Sequence, residues 1–292
     1  MRISESLHAG SRPHFSFEFF PPKSDEGVEA LLETTRQLRA LRPGFVSVTY
    51  GAGGSNRART IAVAKRIKRE LEMEVLAHVT CVGHSAAELR AVFAELAADG
   101  IENVLALRGD PPKGQPPFIP ADGGFRYAVE LLDLLSNEFD FCTGAAAYPE
   151  VHPEAIDAVS DLENVLRKVE AGAEFLISQL FFDNDRYFAF VDRARAAGVR
   201  VPIIPGIMPI TNFSQVAHMT AMCGVTIPER LLRELEARKD EPEAVAELGV
   251  AYATLQSAEL LARGAPGVHF YTLNRSPATR AVVSALLAGS KT

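Results

Sequence analysis

The sequence predicts an α/β fold, a (βα)8 TIM barrel, from three observations. Its 292 residues suit one such barrel, for which about 250 residues is typical. Short runs rich in β-branched and aromatic residues alternate with amphipathic stretches along the chain, as in repeated βα units. No Gly-x-Gly-x-x-Gly turn follows any candidate strand, which disfavours the alternative, a doubly wound open sheet. We therefore expect one domain over residues 1–292.

The candidate elements follow the chain in order. Eight runs are predicted as strands: His14–Phe20, Phe45–Tyr50, Glu74–Thr80, Asn103–Gly109, Phe141–Tyr148, Phe175–Phe182, Val201–Met208 and Gly267–Leu273. The helical patterns are Ser24–Leu41, Arg57–Leu71, Ser85–Asp99, Phe125–Glu138, Ser160–Ala171, Asp185–Ala197 and Pro277–Leu287. An extra helical stretch at about 228–264 precedes the last strand. Eight consecutive units favour a closed barrel because closure removes the sheet edges.

Composition and charge limit the possible partners. The net charge of −7 leaves no basic face for nucleic acid. The three cysteines are far apart, so the sequence shows neither a disulfide framework nor zinc-ligand spacing, and we expect no metal and a reducing cytoplasm. No run approaches the roughly 20 apolar residues of a membrane span, and the first 13 residues carry no apolar leader core. Small molecules are the expected partners.

The first strand carries a carboxylate among phenylalanines. Because side chains alternate across a strand, Phe15, Phe17 and Phe19 share the face that packs against the helices, and Ser16 and Glu18 point into the barrel. Glutamate is almost never fully buried without a partner. Glu18 is therefore either ion-paired or functional, and it lies near the barrel mouth, where such enzymes keep catalytic groups.

Polar residues recur on the inward side of other strands. Thr49 ends the second strand, His78 lies in the third and Gln179 lies between apolar neighbours in the sixth. His78 is as consistent with a satisfied core histidine as with a ligand contact. An inward hydroxyl more often bonds to backbone than to a ligand.

Two rigid turns follow the fourth and fifth strands. In the first, Arg108 and Asp110 precede two prolines, and they form either a structural pair that holds the loop or part of a site. In the second, Tyr148 and His152 lie on a proline-rich loop and suit stacking and hydrogen bonding to a flat ligand.

The helical pattern after the fifth strand has two faces. An apolar stripe of the kind that packs on a barrel includes Leu162 and Val165. Polar residues occupy the other side: Asp161, Asn164, Arg167 and Lys168. By itself this is a solvated face, and the sharper alternative is a phosphate or ribose contact from its first turns.

Together the motifs resemble the methylenetetrahydrofolate reductase family of the bacterial type. They are Phe17-Glu-Phe-Phe-Pro-Pro-Lys23, Val48-Thr-Tyr-Gly-Ala52, Leu107-Arg-Gly-Asp-Pro-Pro112, Ala147-Tyr-Pro-Glu-Val-His-Pro-Glu154, Ser178-Gln-Leu-Phe-Phe-Asp183 and Phe270-Tyr-Thr-Leu-Asn-Arg275. The resemblance implies a FAD-dependent oxidoreductase of one-carbon metabolism. Its substrate would be 5,10-methylenetetrahydrofolate, reduced to 5-methyltetrahydrofolate by ping-pong hydride transfer. NADH is preferred over NADPH as the donor, and a homo-oligomer is expected.

The resemblance also implies residue roles. Glu18 falls on the catalytic acid, with Asp110 as a second catalytic residue. The implied FAD contacts are Thr49, Tyr50, Ala52, His78, Arg108, Gly109, Asp110, Tyr148, His152, Asp161, Asn164, Arg167 and Lys168. The implied folate contacts are Asp110, Gln179, Gln215, Tyr271 and Arg275. Met219 stands where some bacterial members have a phenylalanine, and it can pack on a flat ring without stacking as an aromatic side chain does.

The reaction explains why an acid is needed. Hydride reaches the one-carbon unit only after protonation at N10 opens the five-membered ring to an iminium cation. Desolvation among phenylalanines disfavours the Glu18 anion and so favours the proton-bearing form. Asp110 would stabilise the iminium cation, and Arg108 would partly offset the negative charge of Asp110. Two alternatives remain: a pterin-dependent methyltransferase barrel without flavin, and a barrel that serves as a binding or scaffold protein.

Overall fold

The computed structural model describes residues 1–10, 12–50, 57–110 and 118–289. Eight parallel strands close into a barrel in chain order, as the sequence predicts. They are β1 His14–Phe19, β2 Phe45–Val48, β3 Val75–Thr80, β4 Asn103–Leu107, β5 Cys142–Ala147, β6 Phe175–Leu180, β7 Ile203–Ile207 and β8 Gly267–Tyr271. The helices of the described ranges are α1 Ile3–Ala9, α2 Asp25–Arg39, α3 Arg57–Leu71, α4 Ala86–Ala98, α5 Ala128–Glu138, α6 Ala158–Glu170, α7 Asn184–Ala196, α8 Phe213–Cys223, α9 Glu229–Glu236, α10 Pro242–Ala262 and α11 Pro277–Gly289.

At the barrel mouth, all strands of the structure except β3 end one or two residues before the predicted position. The second predicted strand extends to Tyr50, whereas β2 ends at Val48, and the Thr49 N–H just beyond it donates to Phe19 O at 2.9 Å. The extra helical stretch is two helices, α9 and α10. No helix within the described ranges combines the length and apolar character needed to cross a membrane.

The barrel closes where β1 pairs with β8. Ser16 lies opposite His269 and Glu18 lies opposite Tyr271 in this parallel register. On its other edge, β1 pairs with β2, where Glu18 lies opposite Ser47. The seam therefore joins parts of the chain about 250 residues apart, as the Ser16–His269 contact shows.

Alternation along the strands separates two apolar regions. Phe15, Phe17 and Phe19 are buried with the helix side chains outside the barrel, as predicted. The lower end of the barrel is the end at which the strands begin. The interior there is filled by side chains from several strands, among them Phe45, Leu76, Leu105 and Phe175. Stacked layers of bulky side chains make such an interior a packed core, so the open space for a ligand is at the other end.

The helix α1, which the sequence analysis did not predict, lies against the lower end of the barrel. Ile3 is buried in the interior cluster, and its N–H donates to Asn103 Oδ1 at 2.8 Å. Arg2 donates to Asp140 Oδ1 and to Glu174 Oε1, each at 2.8 Å. These contacts close the end opposite the polar rim.

Candidate active site

Glu18 lies at the upper end of β1, 7% exposed, between two histidines. His269 Nε2 is 3.4 Å from Glu18 Oε2, and His78 Nε2 is 3.6 Å from the same oxygen. On its far side, His269 Nδ1 is 2.8 Å from Ser16 Oγ. Within the described residues, no lysine or arginine forms an ion pair with this carboxyl group. Its polar surroundings are therefore the imidazoles and not a fixed cation.

His78 is held in the uncharged form. Burial lowers its pKa to about 4, because the charged ring would lose its hydration. Its Nε2 has no hydrogen-bond partner in the described part of the chain, and the same holds for Thr49 Oγ1 and Thr80 Oγ1. Buried polar atoms are nearly always satisfied, so these unsatisfied atoms at the carboxyl ends of β2 and β3 are suited to contact a polar ligand.

The turn after β4 is shaped by a glycine. Gly109 has φ +83°, and a Cβ there would lie 2.8 Å from Val82 Cγ1 and 3.0 Å from Thr80 Cβ. Arg108 does not pair with Asp110: its Nη2 donates to Glu154 Oε1 at 2.8 Å, and its Nη1 bonds the other oxygen of that carboxylate. Asp110 therefore remains exposed at the rim.

The loop after β5 joins the first turns of α6. The rings of Tyr148 and His152 meet edge to face, with centroids 4.6 Å apart. The His152 N–H donates to Asp161 Oδ2 at 3.1 Å. Burial raises the pKa of Tyr148 to about 12. The aromatic pair is thus uncharged near neutral pH and fixed to α6 through Asp161.

The polar face of α6 is not uniformly solvated. Asp161 is 8% exposed, and the Lys168 ammonium donates to Ala146 O at 2.8 Å. Burial lowers the pKa of Lys168 to about 8. Asn164 and Arg167 are exposed, as the solvated reading expects. The face therefore divides into two residues turned to the barrel and two turned to solvent.

Strands β6, β7 and β8 supply the opposite side of the mouth. The β6–β7 register shifts between Ile177 and Leu180, and Gln179 lies in this irregular segment, with Oε1 accepting from Leu180 N at 2.8 Å. The Tyr271 hydroxyl donates to Ser178 O at 2.7 Å. Irregular pairing is common beside active sites because it redirects a side chain.

Other residues of the predicted site have no described contact with Glu18. The side chain of Tyr50 is buried, with its hydroxyl 3.2 Å from His84 Nε2. Gln215 and Arg275 are exposed, and the described side chains give no contact between them and Glu18. Met219 packs against the same apolar cluster as Tyr271. Ala52 lies outside the described residues.

The sequence analysis missed several neighbours of the site. It included His269 only within the predicted strand Gly267–Leu273, although strand alternation puts His269 and Tyr271 on the same face of β8. It also missed Glu154, which lies 46 residues from its partner Arg108. Burial, and to a smaller extent the charge of Asp110, raises the pKa of the Cys223 thiol at the end of α8. No group of three or more His, Cys, Asp or Glu in the described ranges could hold a metal ion.

A closed parallel barrel with ionisable side chains gathered at the carboxyl ends of its strands has the arrangement of the (βα)8-barrel enzymes. Residues 2–287 match the family model described as methylenetetrahydrofolate reductase. The 5,10-methylenetetrahydrofolate reductase of Escherichia coli (strain K12) is 40% identical over 274 residues, covering 93% of this chain and 90% of that protein. The chain belongs to the methylenetetrahydrofolate reductase family.

Other relatives are longer. Methylenetetrahydrofolate reductase (NADH) 1 of Arabidopsis thaliana is 40% identical over 271 residues, which cover 89% of this chain but 46% of that protein. The chain thus spans about half the length of the plant relatives. A solved structure of an uncharacterised Clostridium thermocellum protein that binds two copies of 5-methyl-5,6,7,8-tetrahydrofolic acid has a TM-score of 0.66 at 14% identity, over 98% of this chain and 97% of the other. That likeness shows the barrel fold alone.

Proposed function

We propose that this chain reduces 5,10-methylenetetrahydrofolate to 5-methyltetrahydrofolate, using FAD and a reduced nicotinamide nucleotide. The observation that carries the proposal is the Glu18 carboxyl group, buried at the mouth between His78 and His269. Family membership supports the substrate, and the names of the plant relatives support NADH as the preferred donor. We also propose that the chain acts in the cytoplasm as a homo-oligomeric single-domain enzyme.

The residues present fit a bound FAD. Thr49 Oγ1 and His78 Nε2 are buried without partners among the described residues, and Gly109 lets the turn after β4 pack closely against Thr80 and Val82. Lys168 supplies a cation within the barrel wall, and a cation suits the pyrophosphate of FAD. We propose that these residues and the Tyr148–His152 pair hold the cofactor. When bound, FAD supplies the hydride carrier that links nicotinamide to folate.

Glu18 is the proposed proton donor to N10 of the folate. In the tautomer with a proton on Nε2, His269 donates to Glu18 and accepts from the Ser16 hydroxyl. This arrangement stabilises the carboxylate that remains after the proton has left. Neutral His78 supplies no competing charge. His269, oriented by Ser16, thus holds the carboxyl group in place before and after proton transfer.

Asp110 and Gln179 are assigned to the substrate. Asp110 is exposed at the rim, and the neighbouring Arg108 binds Glu154 instead of Asp110. We propose that the negative charge of Asp110 stabilises the cationic folate iminium. Gln179 lies at the irregular end of β6, with its side-chain amide close to the Tyr148 hydroxyl. We propose that Gln179 and Tyr271 contact the pterin part of the substrate, with Gln215 and Arg275 beyond them.

The test separates the two half-reactions. Purified protein should be yellow, with flavin absorbance near about 450 nm. In Glu18→Gln, NADH should still reduce the bound flavin at close to the normal rate. Oxidation of that flavin by methylenetetrahydrofolate should fall by about a hundredfold or more, the usual contribution of a general acid. Stopped-flow absorbance measures both rates.

The matched control is Glu229→Gln, an exposed change on α9 that should alter neither rate. Survival of both half-reactions in Glu18→Gln, or loss of both with flavin still bound, would remove Glu18 from the acid role. Colourless protein that nevertheless transfers a methyl group from a folate would favour the methyltransferase alternative. Absence of any NADH-dependent turnover with menadione would favour a binding protein.

A further inference from the structure

The loop that follows β8 is bonded to the end of β1. Thr272 Oγ1 donates to the main-chain oxygen of Glu18 at 2.6 Å. Asn274 makes two bonds to one residue: the Phe20 N–H donates to Asn274 Oδ1, and Asn274 Nδ2 donates to Phe20 O, each at 2.8 Å. The side-chain amide of Asn274 thus acts as a peptide group would in a ladder.

These bonds replace a missing part of the barrel ladder. The β1–β8 register ends at Glu18 opposite Tyr271, so nothing in β8 itself pairs with Phe20. Pro21 follows, and it has no N–H with which to continue a ladder. Without Asn274, the end of the strand that carries Glu18 would have a free edge on the β8 side.

The loop adopts an unfavourable backbone to make these contacts. Leu273 and Asn274 have φ values of 52° and 60°, in the left-handed region. Asparagine tolerates this region better than most residues, whereas leucine does so at a cost. Two adjacent residues of this kind persist only where surrounding contacts fix them, and such backbone is concentrated at functional sites.

We propose that Asn274 is a positioning residue for the acid: by holding both peptide groups of Phe20, it fixes the end of β1 and so the direction of the Glu18 carboxyl group. This inference rests on the proposed function. Glu18 is then held at its carboxyl by His269 of β8 and at its carbonyl by Thr272 of the loop that follows β8. The distance from Glu18 Oε2 to His269 Nε2, 3.4 Å, is already long for a hydrogen bond. A small rotation of the strand end that moves the carboxyl group away from His269 would therefore break this bond.

The test uses three variants at one position. Asn274→Gly removes the side chain and tolerates the left-handed backbone, Asn274→Ala also strains that backbone, and Asn274→Asp keeps only the acceptor for the Phe20 N–H. We expect the rate of flavin oxidation by methylenetetrahydrofolate to fall about tenfold in the glycine and alanine variants and at least as much in the aspartate variant, in which a carboxylate oxygen would face Phe20 O. Flavin reduction by NADH should stay within about twofold of normal, because misplacement of this kind affects only the step that uses the acid.

A double-variant cycle distinguishes positioning from a general structural role. If Asn274 acts through Glu18, Asn274→Gly should cause no further loss in a Glu18→Gln background. Asn137→Ala, an exposed change near the end of α5, is the control and should leave both half-reactions unchanged. Circular dichroism and thermal melting of each variant identify any that fail to fold, and the aspartate and glycine variants then decide the matter.

Full folate-dependent activity in folded Asn274→Gly would overturn the inference, and so would a loss that adds to that of Glu18→Gln. Failure of the proposed function is a different outcome, because the unmodified protein would then show no methylenetetrahydrofolate-dependent oxidation of a flavin.

Discussion

Lys168 has an unusual position for a lysine on a barrel helix. Its ammonium group is turned toward the barrel and donates to Ala146 O, with Asp161 as the nearby opposite charge. Burial lowers its pKa to about 8, and Asp161 opposes this shift. Lys168 is therefore charged at pH 7 and loses its charge within the range in which the protein can be assayed.

The affinity for FAD should fall as the pH rises above about 8. An anionic ligand favours the charged lysine, so the pKa of Lys168 is higher in the complex than in the free protein. Between these two pKa values binding takes up a proton, and the affinity falls by up to about tenfold per pH unit. Below pH 8 the lysine is charged in both states and this dependence vanishes. Fluorescence titration of apoprotein with FAD from pH 7 to 9.5 measures the slope.

Two substitutions serve as controls for Lys168. Lys168→Arg keeps the charge across this range and should bind FAD without the decline. Lys168→Met should bind about tenfold or more weakly at pH 7, the loss of a hydrogen bond to a charged group, and should also show no slope. An unchanged slope in Lys168→Met would show that another group titrates.

At the level of single residues, sequence reasoning succeeded where the cause is local. Alternation along β1 placed Glu18 inside the barrel because the two faces of a strand are fixed by the pleat. It could not decide the partner of Arg108, because Glu154 is distant in the chain and only the fold brings it near. Asn274 gave no sequence signal for the same reason: its partner Phe20 is 254 residues away.

At the level of elements, α8 is joined to the loop after β5. Glu150 accepts the Thr226 N–H just beyond α8, at 3.1 Å from Oε1. A Cβ at Gly224 would lie 3.1 Å from Pro153 Cγ, so the two segments are in close contact. Val151, between them in the loop, has φ 131°, a strained value for a β-branched residue. The helix that carries Gln215 and Met219 is thus connected to the loop that carries Tyr148.

Loss of the Glu150 contact should weaken folate binding. In Glu150→Ala we expect the KM for methylenetetrahydrofolate to rise about fivefold, in line with one hydrogen bond of about 1 kcal/mol, because α8 is no longer held against the rim. Glu150→Gln keeps an acceptor and should lie close to the unmodified protein. Steady-state kinetics at saturating NADH gives both values. Glu236→Ala, exposed on α9, is the control, and equal effects of Gln and Ala at position 150 would contradict the role of this bond.

The strands and most of the longer helices could be predicted because their periodicity is strong. Residues Arg57–Leu71 have the same bounds in prediction and structure. The short α1 could not be recognised, because seven residues carry too little periodic pattern and its stability comes from contacts with distant strands. The split between α9 and α10 was missed although the sequence marks it, because Pro242 is the first residue of α10, a position that proline favours.

On the scale of the whole molecule, stability and chemistry are located at opposite ends of the barrel. The lower end is closed by α1, with Ile3 at 1% exposure among the interior side chains and Arg2 paired to Asp140 and Glu174. The upper end carries the unsatisfied polar groups. Changes at the lower end are therefore expected to affect folding and not turnover.

Ile3→Ala should lower the free energy of unfolding by about 2–4 kcal/mol, because it leaves a cavity among Phe45, Leu76 and Phe175. The kcat at a temperature well below the transition should be unchanged. Urea denaturation followed by circular dichroism measures the first quantity and NADH oxidation the second. Glu5→Ala, exposed on the same helix, should change neither. A large loss of kcat in folded Ile3→Ala would show that the two ends are coupled.

The β1–β8 seam has a consequence for how the protein is made. Glu18 emerges early from the ribosome, but Ser16, His269, Thr272 and Asn274 meet only after β8 has been synthesised and docked. The groups proposed to hold FAD lie on the middle units, from β2 to α6, and are complete much earlier. A chain without β8 contains every residue proposed to contact the flavin but lacks His269, Thr272 and Asn274. Proton transfer to the folate is therefore expected to require a closed barrel, because only closure brings His269 to Glu18.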